Sequence, residues 1–247
     1  MKQTVFITGV SSGVGHGLAH EYLNRGDAVI GISRRQPNDL LEYDNFRFAS
    51  VDVTDQTAIE NDVPGLFVDA KQIDTVILNA GMLGRLADMK DAPLEELKQL
   101  MDVNVWSNKT ILDVLFAKCP VLKKVITISS GAAVNGNRGW SGYSISKAAL
   151  NMLTMLYARE NENTHFAAVA PGLVNTAIQD YLCGHVADDR FGSLEFLKSK
   201  RNTDQMPDPF QAAKRLIPVF DSIEKHVESG GFFDIRQLPN HALMEKI

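Results

Sequence analysis

Apolar residues occur along this chain in short β-branched runs, separated by longer segments in which they recur every three or four positions. Short runs that end at glycine, serine, aspartate or asparagine are typical of buried strands, and the longer period is typical of helices. Strands that alternate with helices predict an α/β fold built on a parallel sheet. The predicted strands are residues 3–8, 28–33, 46–51, 75–78, 124–129, 166–170 and 231–235.

Composition supports one soluble α/β domain and excludes several function classes. Of 247 residues, 45% are apolar and 22% are charged, and the net charge is only -5. Lysine and arginine form no large cluster, so neither nucleic acid nor a membrane surface is an expected partner. No signal peptide or membrane span is predicted, which favours a cytoplasmic protein with Cys119 and Cys183 as reduced thiols. The histidines have no metal-ligand spacing, so no metal site is expected.

The first predicted strand ends in a turn rich in glycine, and a helical pattern follows it. Glycine lets a backbone approach a pyrophosphate closely, while the positive end of the following helix faces the anion. Any tight strand-to-helix turn also favours glycine, so the pattern alone is weak evidence. The turn and helix are marked by Gly9, Gly13 and Gly15, then by Leu18, Ala19, Tyr22 and Leu23.

The end of the second predicted strand carries the sequence Ser33-Arg34-Arg35. In a dinucleotide-binding fold, this position decides between NAD and NADP. A carboxylate there binds the free ribose hydroxyls of NAD, whereas arginine suits the 2′-phosphate of NADP. NADP(H) is therefore the expected cofactor, and the alternative is a pair of solvated loop arginines.

Polar residues also follow the third and fourth predicted strands. Asp52 and Val53 end the third, where Asp52 either contacts adenine or serves the turn. Asn79-Ala80-Gly81 follow the fourth, again permitting close approach to a ligand. Asn104 lies within a long helix predicted from residue 93 or 94 to 119, where asparagine is unfavourable; such inconsistencies can mark function.

Tyr143 and Lys147 give the most direct indication of chemistry. Four positions apart, they share one face of a predicted helix, and Ser130 precedes the tyrosine by thirteen residues. A nearby ammonium favours the phenolate, so Lys147 is expected to lower the tyrosine pKa from its usual value of ~10. Tyr143 would then exchange protons near neutral pH. The alternative is an ordinary surface pair.

Beyond Lys147 the same helix is apolar on nearly every face, and a subunit interface is one way to bury it. Together with the helix from Leu94, it predicts a homodimer or homotetramer with a four-helix contact. Pro171-Gly172 and Thr176 open another turn at the same sheet edge. Residues 177–206 break the strand–helix alternation and form a predicted lid, and a helix over 209–225 precedes the last strand.

These residues resemble the short-chain dehydrogenases/reductases over essentially the full chain. The motifs stand in the family's order and at its spacings: Thr8-Gly9-x3-Gly13-x-Gly15, Asn79-Ala80-Gly81, Asn104, Ser130, Tyr143-x3-Lys147 and Pro171-Gly172-x3-Thr176. Leu78 replaces the first asparagine of a common NNAG form. Within the family the chain is most similar to sepiapterin reductase and the bacterial benzil reductases, on Gly139-Trp140, Ile178-Gln179 with the insertion after it, and the ending from Ser229 to Asp234.

The resemblance implies a single Rossmann-like, doubly wound domain over residues 1–247, with about seven parallel strands and helices on both faces. It implies NADPH-dependent reduction of a carbonyl, with Tyr143 as proton donor, Ser130 bound to the same oxygen, Lys147 on the nicotinamide ribose and Asn104 placing a water. The implied cofactor-binding residues are Thr8, Gly9, Ser11, Ser12, Gly13, Val14, Gly15, Ser33, Arg34, Arg35, Asp52, Val53, Asn79, Ala80, Gly81, Tyr143, Lys147, Pro171, Gly172, Val174 and Thr176.

The expected substrate is an apolar small molecule, either a 1,2-dicarbonyl or a pterin side-chain ketone. Its predicted contacts are Ser130, Trp140, Tyr143, Leu83, Leu173 and Asp234. In sepiapterin reductase an aspartate matching Asp234 anchors the pterin, while the alternative here is that Asp234 caps a strand end. Three other functions remain open: a non-catalytic NADP-binding sensor or interaction protein, a short-chain dehydrogenase acting on another alcohol or ketone, and an extended-type epimerase or dehydratase, for which the chain is short.

Overall fold

The computed structural model describes residues 2–184, 186 and 189–238. The strands in these ranges are β1 Thr4–Thr8, β2 Ala28–Ser33, β3 Phe46–Ser50, β4 Thr75–Leu78, β5 Lys124–Ile128, β6 His165–Ala170 and β7 Gly231–Asp234. They form one parallel sheet in the order β3-β2-β1-β4-β5-β6-β7. The order reverses direction between β1 and β4, and at such a switch point the loops leave a cleft at the carboxyl edge.

Helices cover both faces of the sheet, as the sequence pattern predicts. The helices in the described ranges are α1 Gly13–Asn24, α2 Gln56–Asp62, α3 Leu94–Met101, α4 Ser107–Lys118, α5 Ala132–Asn135, α6 Ser141–Glu160, α7 Ala177–Gly184, α8 Ser193–Lys200 and α9 Pro209–Asp221. One core includes buried residues of α1 and α9, among them Tyr22 and Phe220. The opposite core includes buried residues of α2, α4 and α6, among them Ile59 and Leu115. This is the expected Rossmann-like, doubly wound architecture.

The helix predicted from residue 93 or 94 to 119 differs in its middle. Between α3 and α4, Asp102–Trp106 form a π-helical turn, which widens the helix by one residue per turn. Asn104 lies inside this turn, so the residue that disfavours an α-helix stands where the α-helix is interrupted. The helix predicted over 209–225 also ends earlier, at Asp221, and a short 3-10 turn follows over Ile223–Lys225.

The segment predicted as a lid forms α7 and α8 within its described residues. Its apolar side chains form a third cluster with Leu83, Trp140 and Tyr143 from the body of the fold; the segment contributes Leu182, Phe191, Leu194, Leu197 and Met206. The segment therefore packs over the carboxyl edge of the sheet beside Tyr143. No helix in the described ranges is long and apolar enough to cross a membrane.

Candidate active site

The loops that follow β1 and β4 are joined by hydrogen bonds. Thr8 Oγ1 accepts from the backbone N–H groups of Asn79 and Ala80, both at 2.9 Å. In return, Asn79 Nδ2 donates to the carbonyl oxygen of Thr8 at 2.9 Å. The predicted cofactor residues of these two loops therefore form one rigid unit at the switch point.

The glycine turn leads directly into the N-terminus of α1. The N-cap residue of α1 is Ser12, and its side chain makes no capping hydrogen bond. The first turn of α1 contains no acidic residue. A side chain at Gly15 would collide with the Gly9 carbonyl oxygen and the Asn79 amide, so only glycine permits this approach. The first N–H groups of a helix have no intrahelical acceptor, and this turn, which also contains Ser11, Gly13 and Val14, fits an anionic pyrophosphate.

The end of β2 is folded back against the glycine turn. Ser33 Oγ donates to the carbonyl oxygen of Arg35 at 2.7 Å. Arg35 Nη2 in turn donates to Ser12 Oγ at 3.2 Å. Arg34 is exposed, with Nη1 3.9 Å from Asp52 Oδ2. The fold thus places a guanidinium beside the turn that suits a phosphate.

Asp52 takes the turn role that the sequence leaves open. Its Oδ1 accepts from Thr54 N at 2.9 Å and from Thr54 Oγ1 at 2.8 Å. The backbone hydrogen bond from Thr54 is the main cause that lowers the Asp52 pKa, and the Arg34 charge adds to it. Val53, the next residue, packs against the core that contains α2 and α4.

Asn104 connects the loop after β4 to α6. Its Oδ1 accepts from the Met82 N–H at 2.8 Å, and its Nδ2 donates to Met82 O and Ser146 Oγ, both at 2.9 Å. A Cβ on Gly81 would lie only 3.1 Å from Asn104 Oδ1, so Gly81 allows this contact. The Asn104 carbonyl, expected to place a water, already accepts one hydrogen bond from Asn108 Nδ2 at 2.8 Å.

Ser130 and Tyr143 meet at the carboxyl edge, as predicted. The Ser130 hydroxyl lies close enough to the Tyr143 hydroxyl to affect its pKa. The Trp140 ring lies beside the Tyr143 ring, with 5.9 Å between centroids. Burial raises the pKa of the Tyr143 phenol above its usual value, and the Ser130 hydrogen bond opposes that shift only in part. The predicted lowering of this pKa is thus wrong, because burial dominates the shift, and the Tyr143 phenol is neutral at pH 7.

Lys147 is buried beneath the tyrosine. Its Nζ donates to the carbonyl oxygen of Ile128 at 2.8 Å and lies 5.7 Å from the centroid of the Tyr143 ring. Burial lowers the pKa of Lys147 to about 8. The ammonium is consequently charged at neutral pH but close to its titration range, within reach of a phenolate formed on Tyr143.

The turn after β6 closes the other side of the cleft. Pro171 and Gly172 follow the strand, and Val174 is buried against the core that contains α1. A Cβ on Gly13 would lie 3.5 Å from the Thr176 methyl, so Thr176 borders the glycine turn. The predicted cofactor residues from the loops after β1, β4 and β6 therefore surround one cleft.

A cavity of about 170 Å³ opens beside Ser130. Its wall is mostly apolar, with a few amide, hydroxyl and guanidinium groups: Ser130, Gly131, Ala132, Asn135, Asn137, Trp140, Ala170, Pro171, Gly172, Leu173, Ser193, Phe196, Leu197 and Arg236. Of the predicted substrate contacts, Ser130, Trp140 and Leu173 line this wall. Leu83 instead lines the neighbouring cleft between the loop after β4 and α7. Trp140 Nε1 donates to Ser193 Oγ at 2.8 Å, which fastens α8 to the site.

Asp234 does not present its carboxylate to the cavity. Its two oxygens accept from Arg236 Nε at 2.9 and 3.1 Å, and Oδ1 also accepts from the Arg236 N–H at 3.0 Å. This is the capping role that the sequence left as the alternative, and the role of Asp234 as a substrate acceptor stays a prediction. Arg236, absent from the predicted contacts, is the residue of this pair that lines the cavity. Its only sequence signal is a cation two positions after Asp234.

Comparisons with known proteins identify the family of this chain. The short chain dehydrogenase family profile matches residues 3–184. An oxidoreductase of Schizosaccharomyces pombe is 31% identical over 228 residues, 87% of this chain and 89% of its own. The (S)-benzoin-forming benzil reductase of Bacillus subtilis is 27% identical and covers 94% of this chain and 97% of its own. An NADPH-dependent pterin aldehyde reductase of Arabidopsis thaliana is 30% identical, and the match covers 75% of this chain and 80% of that protein.

A solved structure supports the fold itself. The short-chain dehydrogenase/reductase YIR035C of Saccharomyces cerevisiae superposes with a TM-score of 0.82, at 23% identity and 98% coverage of both chains. The family profile covers well over half of the sequence. This chain therefore belongs to the short-chain dehydrogenase family of oxidoreductases.

Proposed function

We propose that this protein is an NADPH-dependent carbonyl reductase acting on an uncharged, largely apolar ketone, with a 1,2-dicarbonyl as the preferred class. The observation that carries the proposal is that the Ser130 and Tyr143 hydroxyls lie together where Ser130 lines an apolar cavity, with the Lys147 ammonium 5.7 Å from the centroid of the tyrosine ring. A proton donor, a second hydroxyl and a cation then converge where a carbonyl oxygen would lie.

The chain's own residues account for the proton chemistry. When bound, NADPH supplies the hydride that adds to the carbonyl carbon. Tyr143, neutral because burial raises its pKa, gives its hydroxyl proton to the developing alkoxide. Ser130 donates a hydrogen bond to the same oxygen, and Lys147 stabilises the phenolate left on Tyr143. Asn104 fixes the loop after β4 against α6 through Met82 and Ser146.

NADP rather than NAD is proposed because of the β2 end. Arg35 donates to Ser12 in the glycine turn, and Arg34 lies beside it. A relative named as an NADPH-dependent pterin aldehyde reductase supports the same choice. The residues proposed to hold the cofactor are those of the turns after β1, β2, β4 and β6 described above. The occupied carboxylate of Asp234 favours a dicarbonyl over a pterin, whose amino groups need a free acceptor.

The α6 surface supports a homodimer or homotetramer. Ile145, Met152 and Leu156 on this helix each expose about half of their surface, and Met155 exposes nearly as much. An apolar stripe of this kind is the surface that self-association buries. Sedimentation at micromolar concentration tests it, and a monomer would contradict it. The cytoplasmic location stays a prediction.

Steady-state NADPH oxidation against diketones, pterins, quinones and 3-oxoacyl thioesters tests the proposed reaction. We expect the highest kcat/KM for a diketone, with NADPH strongly preferred over NADH. Arg35→Ala should raise the KM for NADPH about tenfold or more, because the 2′-phosphate loses its arginine partner. The KM for NADH should change less, because NADH has no 2′-phosphate. Equal kcat/KM values for the two cofactors in the unmodified protein would refute the cofactor assignment.

A further inference from the structure

The guanidinium of Arg236 lies next to the residue pair that would hold the reacting carbonyl. Gly131 immediately follows Ser130, and a Cβ built on Gly131 would lie 2.7 Å from Arg236 Nη2. Both residues line the cavity beside Ser130. Any molecule that hydrogen-bonds to Ser130 and extends into the cavity therefore passes close to this guanidinium.

Asp234 holds the guanidinium in place. The carboxylate is buried and accepts from Arg236 Nε and Nη2, in the two-pronged geometry that orients an arginine. Burial disfavours its ionised form, but hydrogen bonds from Arg236 outweigh that effect and keep the Asp234 pKa below its usual value. The pair is thus an ion pair with no net charge. Within the described part of the chain, Arg236 Nη1 makes no hydrogen bond, and the side chain is about half exposed.

The rest of the cavity wall indicates which ligand this donor would serve. Trp140, Leu173, Phe196 and Leu197 make the wall largely apolar. A volume of about 170 Å³ is close to that of a cavity that holds benzene, roughly 150 Å³, so one ring fits. Because Asp234 neutralises the arginine, the site offers a hydrogen-bond donor without a net positive charge. Such a site favours an uncharged carbonyl oxygen over a carboxylate.

We propose that Arg236, positioned by Asp234, determines specificity by donating a hydrogen bond to the second carbonyl oxygen of an uncharged 1,2-dicarbonyl. The first carbonyl oxygen lies on Ser130 and Tyr143, and the ring or alkyl group lies against Trp140 and Leu173. This assignment deepens the proposed carbonyl reduction and rests on it. It also explains why Asp234 is buried beside the site without lining the cavity.

The test compares two ketones that differ only by the second oxygen, 1-phenylpropane-1,2-dione and 1-phenylpropan-1-one. Arg236→Met should lower kcat/KM for the dione by about 10- to 100-fold, the range for one hydrogen bond from a charged donor. The ratio of the dione value to the monoketone value should fall by the same factor. Arg47→Met is the matched control and should leave the ratio unchanged. Arg47 is an exposed arginine on β3, the edge strand far from the cavity, and it is paired with Asp69.

Two further variants keep the test decisive if Arg236→Met leaves buried Asp234 unpaired and fails to fold. Arg236→Met combined with Asp234→Asn removes both charges. Gly131→Ala keeps both but displaces the guanidinium, because the added methyl meets Nη2. Each should lower the dione-to-monoketone ratio, and Asp234→Asn alone should lower it less than Arg236→Met. An unchanged ratio in folded variants overturns the proposal.

Calorimetric binding of the dione separates this proposal from the proposed reaction. If the unmodified protein binds the dione with an affinity that Arg236→Met weakens at least tenfold, yet reduces neither ketone, the subsite stands and the proposed reaction fails. If both ketones are reduced with a ratio that does not depend on Arg236, the reaction stands and the subsite fails. No binding of the dione to the unmodified protein overturns the subsite as well.

Discussion

The carboxyl edge of the sheet has two halves that are built differently. The glycine-turn half consists of the loops after β1, β2 and β4, where backbone groups and short side chains bond to one another, as Thr8 does with Asn79 and Ala80. The cavity half consists of the loops after β5, β6 and β7 together with α7 and α8. There, longer side chains from distant segments meet, as Trp140 does with Ser193. The first half is a local motif, and the second is a tertiary assembly.

This difference predicts which substitutions should affect stability and which should affect function. Changes in the glycine-turn half remove mutually satisfied buried groups and should cost stability. Changes in the cavity half should alter KM and selectivity while the fold survives. Lys147 lies between the halves, where a buried charge serves chemistry at the expense of stability.

The largest effect is expected from Lys147→Met. Since burial lowers the Lys147 pKa from 10.5 to about 8, the charged side chain destabilises the folded state by roughly 3 kcal/mol below pH 8. Between pH 8 and 10.5 the unfolded chain binds the extra proton, so this cost disappears as pH rises. The unfolding free energy of the unmodified protein minus that of Lys147→Met should therefore increase by roughly 3 kcal/mol between pH 7 and 10.5.

Urea unfolding of both proteins across this pH range measures this difference in unfolding free energy. The other titrating groups are the same in both proteins, so their contributions cancel. In the proposed carbonyl reduction, the variant should also lose most of the activity, because the phenolate of Tyr143 loses its stabilising charge. A difference in stability that does not change with pH would contradict the buried, titrating lysine.

Thr8→Val is expected to have the next largest effect. The valine keeps the shape of the side chain but removes the acceptor for two backbone N–H groups, which should cost about 2 kcal/mol or more. Thr4→Val, the same substitution on the same strand, is the control, because the Thr4 side chain makes no hydrogen bond within the described residues. Equal unfolding free energies for the two variants would show that the cross-link between the loops contributes nothing.

Trp140→Phe should have the smallest effect on stability and a selective effect on function. It removes the Nε1 hydrogen bond to Ser193, which fastens α8 over the cavity, and keeps a six-membered aromatic ring at this position. The KM for the ketone should rise about 3- to 10-fold, as expected for one neutral hydrogen bond, with the KM for NADPH unchanged. Trp106→Phe, at an exposed position outside the cavity, is the control. A rise in both KM values would place Trp140 in a general structural role.

The same contrast explains what the sequence could predict. Strand positions, the glycine turn and the spacing of Ser130, Tyr143 and Lys147 follow from local patterns, because each is fixed by a few neighbouring residues. Asn104 was visible as a poor residue for an α-helix, although the π-helical turn around it was not. Arg236 could not be assigned, since its place depends on how the turn after β7 approaches Gly131 in the loop after β5. The direction of the Tyr143 pKa shift does not follow from the sequence, because burial, which dominates the shift, is a tertiary property.

Tyr143→Phe is the most direct test of the proposal that Tyr143 is the proton donor in a carbonyl reduction. This variant removes one oxygen and leaves the ring packed beside Trp140. We expect kcat for 1-phenylpropane-1,2-dione to fall by roughly 10²- to 10⁴-fold, with the Kd for NADPH nearly unchanged. A variant that keeps kcat within a few fold of the unmodified protein would contradict the account.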